Sequence, residues 1–172
     1  MDNKRLAFLM VDFETPDFIN ELQNKIPEDE LYSDPDDKVF KYGLEKETHV
    51  TIAACLDNDV DLDGIKKILL PIDGYSVIVN DISMFENEKY DVLKCNVGSL
   101  NLYATNKKIL DKYPSHSEFK EYHPHVTIAY LKKGKAKKYT KDMLGKLVVL
   151  EPKNFNFSYF DNEGKQKNKI WK

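Results

Sequence analysis

The pentapeptide His-Val-Thr-Ile-Ala stands twice in this chain of 172 residues, at 49–53 and again at 125–129. An exact internal echo points to duplication, and two copies of one segment must satisfy the same local geometry twice over. Both copies are β-branched and apolar. One runs on into Ala54, Cys55 and Leu56 and the other into Tyr130 and Leu131, which is strand composition. Side chains alternate on a strand, so His49, Thr51 and Ala53 are expected on one face and Val50, Ile52 and Ala54 on the other. The second copy sorts the same way, with His125, Thr127 and Ala129 against Val126, Ile128 and Tyr130. Each strand then turns its bulkier side into a core and presents an imidazole, a hydroxyl and a methyl floor.

Around the motifs the chain reads as recurring strand-helix-strand units. Leu6 to Phe13 has strand character, and Thr15-Pro16 followed by Phe18, Ile19, Leu22 and Ile26 reads as a capped helix with proline in its first turn. The acidic run Glu28, Asp29, Glu30, Asp34, Asp36 and Asp37 has no periodicity and is expected to be an exposed loop. Asp61 or Asp63 can cap a helix through Ile65, Ile68 and Leu69, and strands are expected from Tyr75 to Phe85 and from Asp91 to Val97. Leu100, Tyr103, Ile109 and Leu110 suggest a helix ending before Pro114. The last segment holds a strand near Leu147–Leu150, alternating Phe155, Phe157 and Tyr159, a turn at Asp161-Asn162-Glu163-Gly164, and a closing strand over Lys165–Trp171. This pattern predicts an α+β fold with two similar lobes, in one domain spanning 1–172.

The net charge of −3 hides a strong polarity, because residues 1–86 carry 8 basic and 20 acidic groups (net −12) and residues 87–172 carry 18 and 9 (net +9). An anionic ligand would be drawn to the second half. Its most basic stretch, Lys132, Lys133, Lys135, Lys137, Lys138, Lys141 and Lys146, reads first as a solvated face. Two unpaired cysteines, Cys55 and Cys95, fit structural thiols in a reduced compartment. The apolar run Leu6–Val11, stopped by Asp12, is too short for a signal-peptide core or a membrane span, so a soluble cytoplasmic protein with no membrane partner is expected.

Two histidines and two threonines brought together suit phosphodiester cleavage without a metal. A neutral imidazole can take the proton of the attacking hydroxyl while a charged one protonates the departing oxygen, and the ordinary pKa of histidine allows both. Threonine hydroxyls can donate to the non-bridging phosphate oxygens as charge builds. His123 and His125, with His49, also have the composition of a zinc site. Pro124 can fix the entry into the strand, leaving His123 at its mouth, and His116 reads as exposed. Trp171 either packs the last strand or stacks on a base, and Phe13 has the same two readings with core the stronger.

The paired His-x-Thr motifs, His49 and Thr51 in Thr48-His-Val-Thr-Ile-Ala-Ala and His125 and Thr127 in His123-Pro-His-Val-Thr-Ile-Ala-Tyr, resemble those of the 2H phosphoesterase superfamily. That resemblance implies a bilobal fold, with two pseudo-symmetric lobes and antiparallel sheets around a central cleft. It also implies His49, Thr51, His125 and Thr127 as the catalytic set, with no metal and no cofactor. Within the superfamily, the Tyr122–Leu131 block, the compact length and a C-terminal hairpin ending in Trp171 look most like the bacteriophage anti-CBASS nucleases. The substrate so implied is a cyclic di- or trinucleotide immune signal in the host bacterial cytoplasm, with no long nucleic acid as partner. A 2′–5′ RNA ligase-like or 2′,3′-cyclic phosphodiesterase acting on RNA ends, and a nucleotide-sequestering protein, are the alternatives.

Overall fold

The computed structural model describes residues 6–37, 40–141, 147–161 and 163–172; Lys146 of the basic stretch and Asn162 of the expected turn lie outside them. In chain order the elements are β1 (Leu6–Phe13), α1 (Asp17–Asn24), β2 (His49–Asp57), α2 (Leu62–Ile68), β3 (Val77–Glu86), β4 (Tyr90–Gly98), α3 (Leu100–Lys112), β5 (His125–Lys132), β6 (Val148–Leu150), β7 (Pro152–Phe160) and β8 (Gln166–Trp171). Short 3₁₀ turns lie at Glu28–Glu30, Ile72–Tyr75 and Ala136–Lys141. The strands form one curled antiparallel sheet in the order β6-β3-β4-β5-β2-β1-β7-β8. Reading outward from the central pair β5 and β2, the halves match. Each motif strand is flanked by the strand that begins its own strand-helix-strand unit, β4-α3-β5 on one side and β1-α1-β2 on the other.

The repeated pentapeptide is not a regular strand. Met10 lies opposite Thr51, but the next pair is Leu9 with Ala53, so Ile52 is an extra residue on β2. On β5 the same slip occurs at the same place, because Lys94 pairs with Thr127 and Leu93 with Ala129, leaving Ile128 as the extra residue. Ile52, Ala53, Ile128 and Ala129 are all buried, as are Leu9 and Leu93 opposite them. The β-bulge therefore corrects the expected alternation. Ala53 and Ala129 join the core instead of flooring the histidine face, and Tyr130, paired with Val92 beyond the bulge, leaves the core side for that face.

A bulge leaves a carbonyl outside the ladder, and a buried carbonyl without a donor is costly. Each is met by an amide from a helix. Asn106 of α3 donates to the Ile52 carbonyl at 2.8 Å. Gln23 of α1 donates to the Ile128 carbonyl at 2.9 Å and to that of Glu45 at 2.7 Å, and the Glu45 backbone N–H also donates to the Ile128 carbonyl at 3.0 Å. The helix of each unit thus supports the motif strand of the opposite unit. This explains a second correction: α3 buries Leu102, Thr105, Asn106 and Ile109, with Thr105 bonded to the Tyr75 hydroxyl at 2.8 Å, whereas the expected apolar positions Leu100 (88% exposed), Tyr103 and Leu110 face outward.

Other elements fall near their expected bounds with different local chemistry. Asp61 caps α2 by accepting from the Gly64 amide at 2.9 Å. Pro16 takes the cap position of α1, and Thr15 instead accepts from Thr48 at 2.8 Å, next to His49. The acidic run is no plain exposed loop: Glu30 is buried, held by Lys138 at 2.6 Å and by the Tyr139 hydroxyl at 2.8 Å. Among the described residues no helix is long and apolar enough to cross a membrane. Replacing Asn106 by Ala should lower stability by about 1–3 kcal/mol, and replacing Gln23, whose Ile128 partner keeps the Glu45 N–H, should cost less, both read from urea unfolding midpoints. Midpoints equal to the parent's would mean that the bulge carbonyls do not depend on these amides.

Candidate active site

The two motif strands are neighbours, and Val50 of β2 lies opposite Val126 of β5. Continuing that antiparallel register by one residue each way puts His49 opposite Thr127 and Thr51 opposite His125. Directly opposed residues share a face. Val50 and Val126 are fully buried, so the two histidines and two threonines converge on the other side of the sheet, where all four are partly exposed.

Both imidazoles are held in the same way. The Glu47 carbonyl lies 3.0 Å from His49 Nδ1, and the His123 carbonyl lies 2.7 Å from His125 Nδ1. A carbonyl only accepts, so each Nδ1 carries the proton and each neutral ring leaves the Nε2 lone pair for chemistry. Burial, opposed in part by the His123 carbonyl and reinforced by Lys94 and His49, depresses His125 to a pKa of about 4. At neutral pH His125 is therefore an unprotonated base.

The strands beside the motifs complete the face. Lys94 and Asn96 lie opposite Thr127 and His125. The Lys94 ammonium is buried; it donates to Ser83 Oγ at 2.7 Å and to Asn96 Oδ1, and lies 4.2 Å from the Phe85 ring centroid. Phe85 in turn meets His125 edge-on at 4.9 Å. In the other half, Met10 and Asp12 are opposite Thr51 and His49, and the Asp12 carboxylate accepts from Asn154 at 2.7 Å and Asn156 at 3.4 Å. Tyr130 bonds to Thr127 and is pushed up to about 12 by burial; it packs with Tyr42 and Tyr90, and Tyr32 contacts both of these. A polar cavity of about 300 Å³ opens beside Asp12, bounded by Lys46, Thr48, Asn154, Asn156 and Asn168.

Sequence reasoning passed over Lys94, Asn96, Asp12 and Asn154. A lysine between Leu93 and Cys95 within an apolar strand was the available signal. The structure brings His49, Thr51, His125 and Thr127 together, but not Trp171 and Phe13. Trp171 lies opposite buried Phe155, 5.8 Å from its ring, with Lys66 over it, and Phe13 is itself buried in the core. Trp171 is on the side of the sheet away from the histidines, whereas Phe13, although in the core, also borders the cavity beside Asp12. His123 stands near Glu121 at 3.4 Å, and among the described residues no three His, Cys, Asp or Glu side chains converge as a zinc site would need. His116 is exposed, as expected, and meets Asp57 at 2.9 Å.

The family model of the 2′-5′ RNA ligase superfamily matches residues 12–159. Among solved structures, Escherichia coli LigT complexed with 3′-AMP aligns with 99% of this chain and 96% of its own at a TM-score of 0.51 and 11% identity. Kluyveromyces marxianus Usb1 aligns with 96% of this chain and 97% of its own at 0.53 and 12%. At such identities these likenesses carry the fold alone. No curated protein matches in sequence.

The depressed His125 makes stability depend on pH. Unfolded histidine takes a proton near pH 6.5 and folded His125 only near about 4. Its contribution is therefore present in full above pH 6.5 and is lost as pH falls toward 4. Urea midpoints should fall through this window in the parent, and His125→Gln should flatten the decline. An identical pH dependence in the two proteins would place the cause elsewhere.

Proposed function

The chain belongs to the 2′-5′ RNA ligase superfamily, the 2H phosphoesterases, and on that premise we propose that it is a metal-independent phosphodiesterase of small cyclic nucleotides. The observation that carries this reading is the pair of His-x-Thr strands with both Nδ1 atoms tied to carbonyls and both Nε2 atoms left to the shared face. In the reaction a ribose 2′-hydroxyl attacks the adjacent 3′–5′ phosphate. Its proton passes to one imidazole, the O5′ leaving group takes a proton from the other, and Thr51 and Thr127 donate to the phosphate oxygens. A 2′,3′-cyclic phosphate results, which water can open with the histidines in reversed roles.

The nature of the lysines supports a short substrate over a long RNA. Several residues of the basic run are engaged by the protein itself: Lys132 donates to the Asp29 carbonyl at 2.6 Å, Lys133 pairs with Glu86 and Asp91, and Lys135 and Lys138 pair with Glu30. They do not extend the site into an open track for phosphates. The cavity beside Asp12 is of nucleoside size, and a nucleotide-sized ligand accords with LigT, whose structure holds 3′-AMP. On this reading the substrate is a cyclic di- or trinucleotide, and opening its ring would silence a bacterial immune signal in favour of a phage. Action on RNA ends is the second reading, favoured by the superfamily's name and by the likeness to Usb1.

The deciding experiment incubates the protein in EDTA with cyclic dinucleotides, cyclic trinucleotides and RNA ending in a 2′,3′-cyclic phosphate, and resolves the products. Cyclic oligonucleotides should be linearised, and His49→Ala or His125→Ala should each cut turnover by about 10²–10⁴-fold while leaving binding measurable. Cleavage of the RNA ends alone would select the second reading, and binding without turnover would make the protein a sequestering module.

A further inference from the structure

The two halves of the site are alike in backbone and unlike in charge. Position for position, Met10 and Asp12 of β1 correspond to Lys94 and Asn96 of β4, each pair facing a threonine and a histidine of the adjoining motif strand. We propose that this substitution pattern divides the catalytic labour: Lys94 is a positioning residue for His125 as the base of the first step, and His49, across from Asp12, is the acid. The inference rests on the phosphodiesterase reading for its chemical consequence, but not for its electrostatics.

Lys94 is placed to act as a fixed cation. Its Nζ is buried and directed at two oxygens, Ser83 Oγ and Asn96 Oδ1, and at the negative face of Phe85. Three N–H groups meet three acceptors, the arrangement of an ammonium. Burial lowers the pKa of Lys94, and the Asp81 carboxylate of β3, opposite Asn96, acts against that shift. The charged or titratable groups acting on His125 are Lys94 from β4, His49 from β2 and His123 from the preceding segment; β3 offers it the neutral Phe85 ring. All three act against a proton on His125, adding to burial. At His49 the cross-strand neighbour is instead the Asp12 carboxylate, fixed by Asn154 and Asn156, while the Glu47 carbonyl holds the ring.

The step then has a direction. The 2′-oxygen forms its bond to phosphorus as its proton moves to Nε2 of His125. The P–O5′ bond breaks as Nε2–H of His49 gives its proton to O5′, and the products are the 2′,3′-cyclic phosphate and a free 5′-hydroxyl. Hydrolysis of the cyclic phosphate runs the two roles in reverse.

Two measurements test this. Imidazole carbon-bound proton shifts followed by NMR against pH in the parent, Lys94→Met and Lys94→Arg give the His125 midpoint. Lys94→Met installs the residue found at Met10, and it should raise the midpoint by about one pH unit, whereas Lys94→Arg should leave it near the parent value. The second measurement compares a 3′–5′ dinucleotide with a nucleoside 3′-(4-nitrophenyl phosphate), whose leaving group departs without a proton. His49→Ala should recover most of the parent rate on the nitrophenyl ester and His125→Ala should not. An unmoved His125 midpoint in Lys94→Met, or rescue of His125→Ala in place of His49→Ala, overturns the proposal. If the parent turns over neither compound nor any cyclic nucleotide, the phosphodiesterase reading falls, and the NMR midpoint still decides whether Lys94 governs His125.

Discussion

A carbonyl displaced from the sheet ladder, met by the side-chain amide of a helix, underlies the whole arrangement. It occurs once at Ile52 with Asn106 and once at Ile128 with Gln23. The displaced carbonyl exists because each motif strand carries one residue more than its partner, and that extra residue sends both Ile and Ala of the repeat into the core. His-x-Thr stays regular before the bulge and keeps both polar side chains on one face. The bulge thus separates a part of the motif that packs from a part that faces the shared polar surface.

Near-symmetry of backbone also explains how one face can hold two histidines in matching geometry but different surroundings. Both rings are oriented by the same device, a carbonyl two residues upstream, so tautomer and direction are common to the pair. What distinguishes them is the neighbouring strand, which brings a carboxylate to one and an amide with a buried ammonium to the other. Duplication supplied the geometry twice, and single side chains on β1 and β4 differentiated it.

Much of this was legible in the residues. The first strand falls at its expected bounds, and the motif strands, the cap at Asp61 and the convergence of the four polar residues follow from pattern and spacing. What was hidden depended on partners far away in sequence. Counting alternate residues along 49–57 cannot reveal an extra residue defined only by its pairing with β1, so Ala53, Ala129 and Tyr130 were assigned to the wrong faces. The apolar residues of α3 suggested Leu100 and Tyr103 as core, because nothing in the local sequence says that a buried Asn106 has a carbonyl to satisfy. Trp171 read equally well as packing or stacking until β8 paired with β7 and turned it toward Phe155. Glu30 looked like one more charge in an acidic loop, and its partners Lys138 and Tyr139 lie more than a hundred residues on.

The crossing of the helices has a mechanical consequence. Because α1 braces β5 and α3 braces β2, neither half carries its own support. A clam-like opening about the central strands would pull both amides off their carbonyls at once. The same exchange makes the halves inseparable as folding units: a fragment ending between them would keep a motif strand and lose its brace. A protein assembled from two copies of one idea has in this way given up the independence of either copy.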